Sequence, residues 1–178
     1  VSVARARGSA TFPANFMLVA ALNPCPCGRA GTRECTCMPH AIEKSRRKIS
    51  GPVADRIDMW VQVGDMPPEA LATKKKQADD QTERARERIA HAREKQRIRF
   101  AASKGITTNA DMRPKEIESL ANLTQKAEET LMHAARTMKL SARGYHRTIK
   151  LARTIADLAG SDTIEPAQML EALQYRQR

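Results

Sequence analysis

Aromatic residues make up only 3% of this 178-residue chain: three Phe, two Tyr and one Trp. With 41% hydrophobic residues, the core must come from Ala, Ile, Leu, Val and Met, which suits helices. Acid is also in deficit. Twenty Asp and Glu face 31 Lys and Arg, a net +11, which predicts attraction to polyanions such as nucleic acid or nucleotide phosphates. No apolar run approaches the roughly 20 residues that span a bilayer. The opening "VSVARARGSATFPANF" has two Arg and no apolar stretch of the kind a signal peptide needs, so a cytosolic protein without a membrane partner is the expectation.

Cysteine is scarce but clustered. "LNPCPCGRAGTRECTCMPH" (residues 22–40) contains all four, as the pairs Cys25/Cys27 and Cys35/Cys37, with seven residues between Cys27 and Cys35. In a long, basic chain of this type such a cluster reads as metal ligands before disulfides. Two short ligand pairs joined by a loop are how structural zinc is held, although Cys-x-Cys is tighter than the usual two-to-four-residue spacer. Gly28 and Gly31 let the loop turn back, Pro24 and Pro26 stiffen the first pair, and His40 is an alternative fourth ligand. A redox or disulfide pair, or idle thiols, remain the other readings. Four thiolates on a tetrahedral ion leave no open position, so a structural role is expected for the metal.

Along the chain, "VSVARARGSATFPA" suits a hairpin with Arg5 and Arg7 near its tip. "FMLVAALN" (16–23), between Pro13 and Pro24, and "DMWVQV" (58–63) read as strands, the first buried on both faces. "HAIEKSRRKIS" reads as a short helix closed by Gly51-Pro52, and "GDMPPEAL" as a linker. The rest reads as helices: a charged one over 76–103 with Ala85, Ile89 and Ala92 on one face, one opening at Pro114, and one over 124–138. The last two are a helix over 141–160, with Tyr145, Ile149, Ala152, Ile155 and Ala159 on one face, and a short one after Pro166. From Arg136 to Arg153 there are six Lys and Arg and no acid, and Arg143, Arg147 and Lys150 share a face, which leans towards phosphate contact. The basic stretch 83–104 interleaves Glu and reads as a solvated face. The fold class is thus α/β, a partial sheet followed by a helical bundle. Two strands do not make a parallel sheet, so the chain is expected to be the C-terminal piece of something larger.

The stretches "FPANFMLVAALNPCPCG", "ISGPVADRID" and "LSARGYHRTIKLARTIADL" resemble, in this order, the C-terminal half of the ComM/YifB proteins, magnesium-chelatase-like AAA+ ATPases related to MCM helicases. The resemblance covers nearly the whole chain, and "NPCPCG" with "CTC" is specific to that branch. It implies that residues 1–66 are the C-terminal part of a P-loop AAA+ core and 67–178 a helical lid. The sequence contains no G-x-x-x-x-G-K-[ST] and no strand ending in paired acids, so Walker A and Walker B are expected upstream, and the segment alone is expected to be inactive. The resemblance further implies roles for single residues. Asn23 resembles sensor 1, Arg56 the arginine finger offered to a neighbouring subunit, and Arg143 sensor 2; Ile57 replaces the aromatic of the "RFD" of MCM-type relatives. Arg5 and Arg7 resemble DNA-contacting residues of a pore hairpin. The implied cofactors are ATP and Mg²⁺ beside structural zinc on Cys25, Cys27, Cys35 and Cys37. The implied partners are other copies in a ring, a hexamer, and DNA. The function so implied is DNA translocation and branch migration in transformation and recombination. The rivals are a chelatase-type ATPase that remodels a protein partner, and a non-enzymatic zinc-bearing nucleic-acid module.

Overall fold

The computed structural model describes residues 1–6, 8–13, 16–64 and 75–176, with side chains from residue 80 onward in the segment that follows the gap. The chain divides into two compact units, Val1–Ile49 and Ser50–Arg178.

The first unit opens with an antiparallel hairpin, β1 (Ser2–Arg5) and β2 (Gly8–Thr11), in the register Ser2↔Thr11 to Arg5↔Gly8. Its open end is closed by Val1 and Phe12, whose backbones bond each other, and by a hydroxyl pair between Ser2 and Thr11 at 2.9 Å. Arg5 ends β1 beside the turn, where Gly8 takes φ +147. Arg7 lies outside the described residues.

Residues 16–23 correct the expectation of a buried strand. They carry no ladder, and Phe16, Met17 and Val19 are exposed. A strand exists through the backbone bonds of its neighbours. Among the described residues the only strands that pair are β1 and β2. Residues 58–63 form no strand either; the Trp60 amide instead donates to the Tyr175 carbonyl at 2.8 Å. Helix α1 spans Pro39–Arg46. Gly51-Pro52 does not simply close it: the pair starts α2 (Gly51–Ala54), because proline, lacking an N–H, sits at no cost in a helix's first turn.

The second unit, among the described residues, begins with α2 and is dominated by helices. Its other helices are α3 (Lys75–Arg99), α4 (Pro114–Leu120), α5 (Gln125–Thr137), α6 (Ala142–Leu158) and α7 (Pro166–Gln174). Pro114 and Pro166 stand in first turns as expected, and the Thr124 and Ser141 hydroxyls accept the backbone N–H of Ala127 and Gly144 as N-caps. The core gathers Leu131, Ile149, Ala152, Ala156, Ile164 and Met169, with Phe100, Ile106 and Met112 at the α3 side. Helix α3 touches this core only at its C-terminal end: Ala92, Gln96 and Phe100 are buried, while Ala85 and Ile89 are exposed and do not form the expected apolar face. Ala159 is exposed as well, and Ala156 takes its place in the core face of α6.

The centre of the unit is polar. Asp157 is buried and accepts both guanidinium nitrogens of Arg99, at 2.8 and 2.5 Å, and the amide of Asn109 at 2.8 Å. Arg153, fully buried one turn earlier, donates to the same carboxylate at 3.2 Å. Its remaining N–H groups reach the carbonyls of Ala121, Ser161 and Asp162 at 3.3, 2.6 and 2.9 Å. Those carbonyls belong to the loops before α5 and α7, which also join backbone to backbone through Thr124, Ile164 and Asn122. Removing one member of a buried charge network leaves the others unpaired, at a cost of about 3–5 kcal/mol. Asp157→Ala is therefore expected to lower the unfolding free energy of the helical unit, read from urea denaturation, by that order, with Arg153→Ala close to it. A loss below about 1 kcal/mol in both variants would show that the network is dispensable.

Candidate functional site

The cysteine loop is built by successive turns. The Gly28 amide bonds the Cys25 carbonyl at 3.0 Å, Thr32 bonds Arg29 at 3.1 Å, and Cys35 bonds Thr32 at 3.3 Å. Gly28 and Gly31 take φ +80 and +92, left-handed values that a side chain resists, which is why the loop can reverse there. An ion pair between Arg29 and Glu34, 2.5 Å, spans the reversal. The result gathers Cys25, Cys27, Cys35 and Cys37, with all four sulfurs within 4.8 Å of one another. Cys25 to Cys27 is 3.3 Å, Cys27 to Cys35 is 3.7 Å and Cys25 to Cys35 is 3.9 Å. Thiolates on one tetrahedral zinc, at Zn–S of about 2.3 Å, stand about 3.8 Å apart. The cluster fits one such ion. The four are free thiols, and His40 is exposed in α1 outside the group.

The crowding shows in their acidity. The Arg29 backbone N–H, with the Cys25 and Cys37 thiols, draws Cys27 down to about 6. Cys37 is pushed up to about 11: the Cys27 backbone pulls it the other way, but the Cys27 thiol, desolvation and the charge on Cys25 all oppose its ionisation. A cation would relieve that mutual opposition. Asn23 lies exposed two residues ahead of Cys25.

The second unit brings together residues far apart in sequence. Asp55, at the C-terminal end of α2, accepts the Ser141 hydroxyl on both carboxylate oxygens at 3.0 Å. The same Ser141 oxygen accepts the Gly144 N–H at 3.0 Å. Arg176, almost wholly buried, places one guanidinium nitrogen 3.6 Å from Asp55 and another 3.1 Å from the Ile57 carbonyl. Arg143, half exposed in the first turn of α6, stands 3.9 Å from Asp55. Arg147 pairs with Asp58. Gly144 lies against the same group: a Cβ there would come 3.4 Å from Arg176 and 3.5 Å from Asp55, ordinary van der Waals contact.

Arg56 is left out of these pairs. It is exposed, and its hydrogen bond among the described residues goes to the Pro52 carbonyl, 2.9 Å, one turn back. Both neighbouring acids are engaged by α6 and α7 instead. Arg143 and Arg147 meanwhile line a shallow cleft of about 320 Å³ with Lys150, His146, Met112 and Ile117. Lys150 donates to the Ala110 carbonyl at 2.8 Å, and burial, with Arg147 close by, lowers its pKa. A larger cleft of about 630 Å³ lies along α3, where Lys95 is already engaged by Asp162 and the Gly160 carbonyl. Of the six cations from Arg136 to Arg153, Arg153 is not available to any phosphate, being buried in the Asp157 network. Sequence reasoning missed Asp55, Ser141 and Arg176 as a group. Its one signal was the serine ahead of α6, read there only as a helix start.

Sequence comparison adds a family. The description "Magnesium chelatase, subunit ChlI" matches residues 1–71, and "Magnesium chelatase, subunit ChlI C-terminal" matches residues 79–176. Competence protein ComM of Haemophilus influenzae is 37% identical over 177 residues, covering 99% of this chain and 33% of that protein. An uncharacterized protein of Mycobacterium tuberculosis is 34% identical over 178 residues, covering 99% of this chain and 34% of its own length. The uncharacterized protein YifB of Escherichia coli is 32% identical over 180 residues, again 99% of this chain and 34% of the relative. The chain thus spans about a third of the length of the curated relatives it matches. On these matches, which account for nearly every residue, the chain belongs to the magnesium chelatase subunit ChlI family, in the company of ComM and YifB.

Proposed function

We propose that this chain is part of a ring-forming AAA+ ATPase of the ComM type, which couples ATP hydrolysis to movement along DNA in transformation and recombination. The observation that carries the reading is that Arg143 stands 3.9 Å from Asp55, the residue immediately before Arg56 in sequence. In a ring ATPase of this kind one guanidinium is offered to the next subunit and a second, in cis or in trans, reaches nucleotide phosphates, and both must be held in place. Arg56 is exposed and unpaired with either adjacent acid. Arg143 lies in the first turn of a long helix, beside two further cations in a cleft. The 37% identity to a protein named for competence supports the DNA-directed branch over a chelatase that remodels a protein.

In this reading residues 1–66 complete the ATPase core and 67–178 form the lid. Asn23 orients the attacking water or a γ-phosphate oxygen. Arg56 stabilises charge on the transferring phosphoryl in the neighbouring subunit, and Arg143 binds phosphate oxygens. ATP and Mg²⁺ are the cofactors, the ring is a hexamer in the cytoplasm, and Arg5 and Arg7 follow the DNA backbone. Zinc, held by Cys25, Cys27, Cys35 and Cys37, is structural: four thiolates saturate it, and it braces the loop after Asn23.

Arginine fingers are worth about 10³–10⁵ in turnover. In the full-length protein Arg56→Ala is expected to reduce ATP turnover by at least about 10³, measured at saturating ATP. Unchanged turnover would remove the finger assignment. A DNA-binding hairpin makes its own demand. The full-length protein should lose DNA affinity steeply with salt, and Arg5→Ala should make the slope of log K against log salt shallower by about one unit. A salt-insensitive interaction would favour the protein-remodelling alternative. For the cysteines, elemental analysis of the purified protein is expected to find about one zinc per chain, absent from a Cys25→Ser, Cys27→Ser double variant. Metal-free protein with the cysteines reduced would reject the zinc site.

A further inference from the structure

The Asp55 cluster does more than fasten two segments together. Its carboxylate takes two kinds of partner at once. Ser141 and Arg176 hold it from the first turn of α6 and from the end of α7, with the Ser141 hydroxyl at 3.0 Å from both oxygens and Arg176 almost wholly buried. Arg143 stands at 3.9 Å and is half exposed, at the limit of an ion pair. The first two contacts fix the backbone that carries Arg56, since Asp55 and Arg56 are consecutive at the end of the four-residue α2. Arg176 secures the other side of Arg56 by bonding the Ile57 carbonyl, and Arg147 pairs with Asp58. Arg56 thus sits on a short segment clamped before and after it, while its own guanidinium bonds only the Pro52 carbonyl among the described residues. The loosest member of the clamp is Arg143, which also lines the cationic cleft with Arg147 and Lys150.

We propose that Asp55, held by Ser141 and Arg176, is a positioning residue that keeps Arg56 in place whether or not a phosphate draws Arg143 away, a proposal that rests on the ATPase reading above. A phosphate in the cleft and Asp55 compete for the same guanidinium. When phosphate draws Arg143 away, Asp55 keeps Ser141 and Arg176, so the Arg56 segment stays seated on the helices while its charge balance changes. Asp55 touches no nucleotide in this arrangement. Its influence on turnover passes through Arg56, and its influence on binding, through Arg143, is small and opposite, because Asp55 competes with phosphate.

The test uses the full-length protein, with ATP as the probe. Asp55→Asn keeps the size of the side chain and removes its charge. It is expected to lower kcat roughly tenfold or more, as misplaced catalytic groups do, with KM for ATP unchanged within about twofold or lower. The decisive comparison is in an Arg56→Ala background, where adding Asp55→Asn should cost nothing further, because the group it positions is gone. A loss of equal size in both backgrounds, or a rise in KM without a fall in kcat, would mean that Asp55 supports the fold or the nucleotide directly and would overturn the proposal. Ser141→Ala, which leaves every charge in place, serves if Asp55→Asn does not fold. It should lower kcat about two- to threefold, and that loss too should vanish without Arg56; wild-type turnover in this variant would overturn the proposal. Should Arg56→Ala itself turn over normally, the finger assignment falls and this proposal with it. Should Arg56→Ala be impaired while Asp55→Asn is wild type, only this proposal falls.

Discussion

A single buried carboxylate organises the helical unit. Asp157 is almost completely removed from water and holds Arg99 from α3, Asn109 from the short helical turn Asn109–Asp111 and Arg153 from its own helix. An isolated charge at that depth is prohibitively costly, so the position is tenable only because two guanidinium groups and an amide satisfy it. Arg153 carries the arrangement outward to three backbone carbonyls on two loops. The direction of α6, and so the place of its first turn, follows from where that network pins its last two turns.

On the proposed ATPase reading, the other end of α6 is where chemistry is offered. Its N-terminus carries Ser141, Arg143 and Arg147 towards the segment around Arg56. The helix is therefore a rod with a polar anchor at one end and a cationic, partly exposed head at the other. Rigidity between the two matters for any reaction in which guanidinium groups stabilise transferring phosphate, since preorganised charge is effective only when it does not have to move into place. The Asp55 contacts add a second attachment, made from α6 and α7, at the point where that rigidity is needed.

Helices were the legible part of the sequence. The 3.6-residue spacing of Tyr145, Ile149 and Ala152 located α6, and Pro114 and Pro166 located the starts of α4 and α7. These are local signals, and local backbone bonding realises them. The apolar run at residues 16–23 carried an equally strong local signal, yet a strand is not a local object: it needs an edge to bond, and among the described residues none pairs with it. Ile89 failed differently. Its spacing was helical and α3 is a helix there, but periodicity gives a face, not what covers it, and Ile89 is exposed. At the candidate sites, the cysteine pairs were readable because four ligands of one type within 13 residues have few other uses. The Asp55 cluster was not, because its members sit at positions 55, 141, 143 and 176, and no spacing rule connects an acid in one loop to a serine that also reads as an ordinary N-cap.

Arg153 shows what the charge count hides. Six cations without an acid, from Arg136 to Arg153, argue for phosphate contact only if all are free to make it. Arg153 is spent on the core, Arg147 on Asp58, and Lys150 donates a hydrogen bond to the Ala110 carbonyl. Arg143 holds its acid at 3.9 Å, far looser than the Arg99–Asp157 pair at 2.5 Å. Coulomb attraction falls with distance and with exposure to water, so of the two arginines that line the cleft, Arg143 and Arg147, it is Arg143 that exchanges its carboxylate for a phosphate at lower cost. The net +11 of the chain attracts a polyanion from a distance; which atom receives it is decided by how weakly each guanidinium is already held.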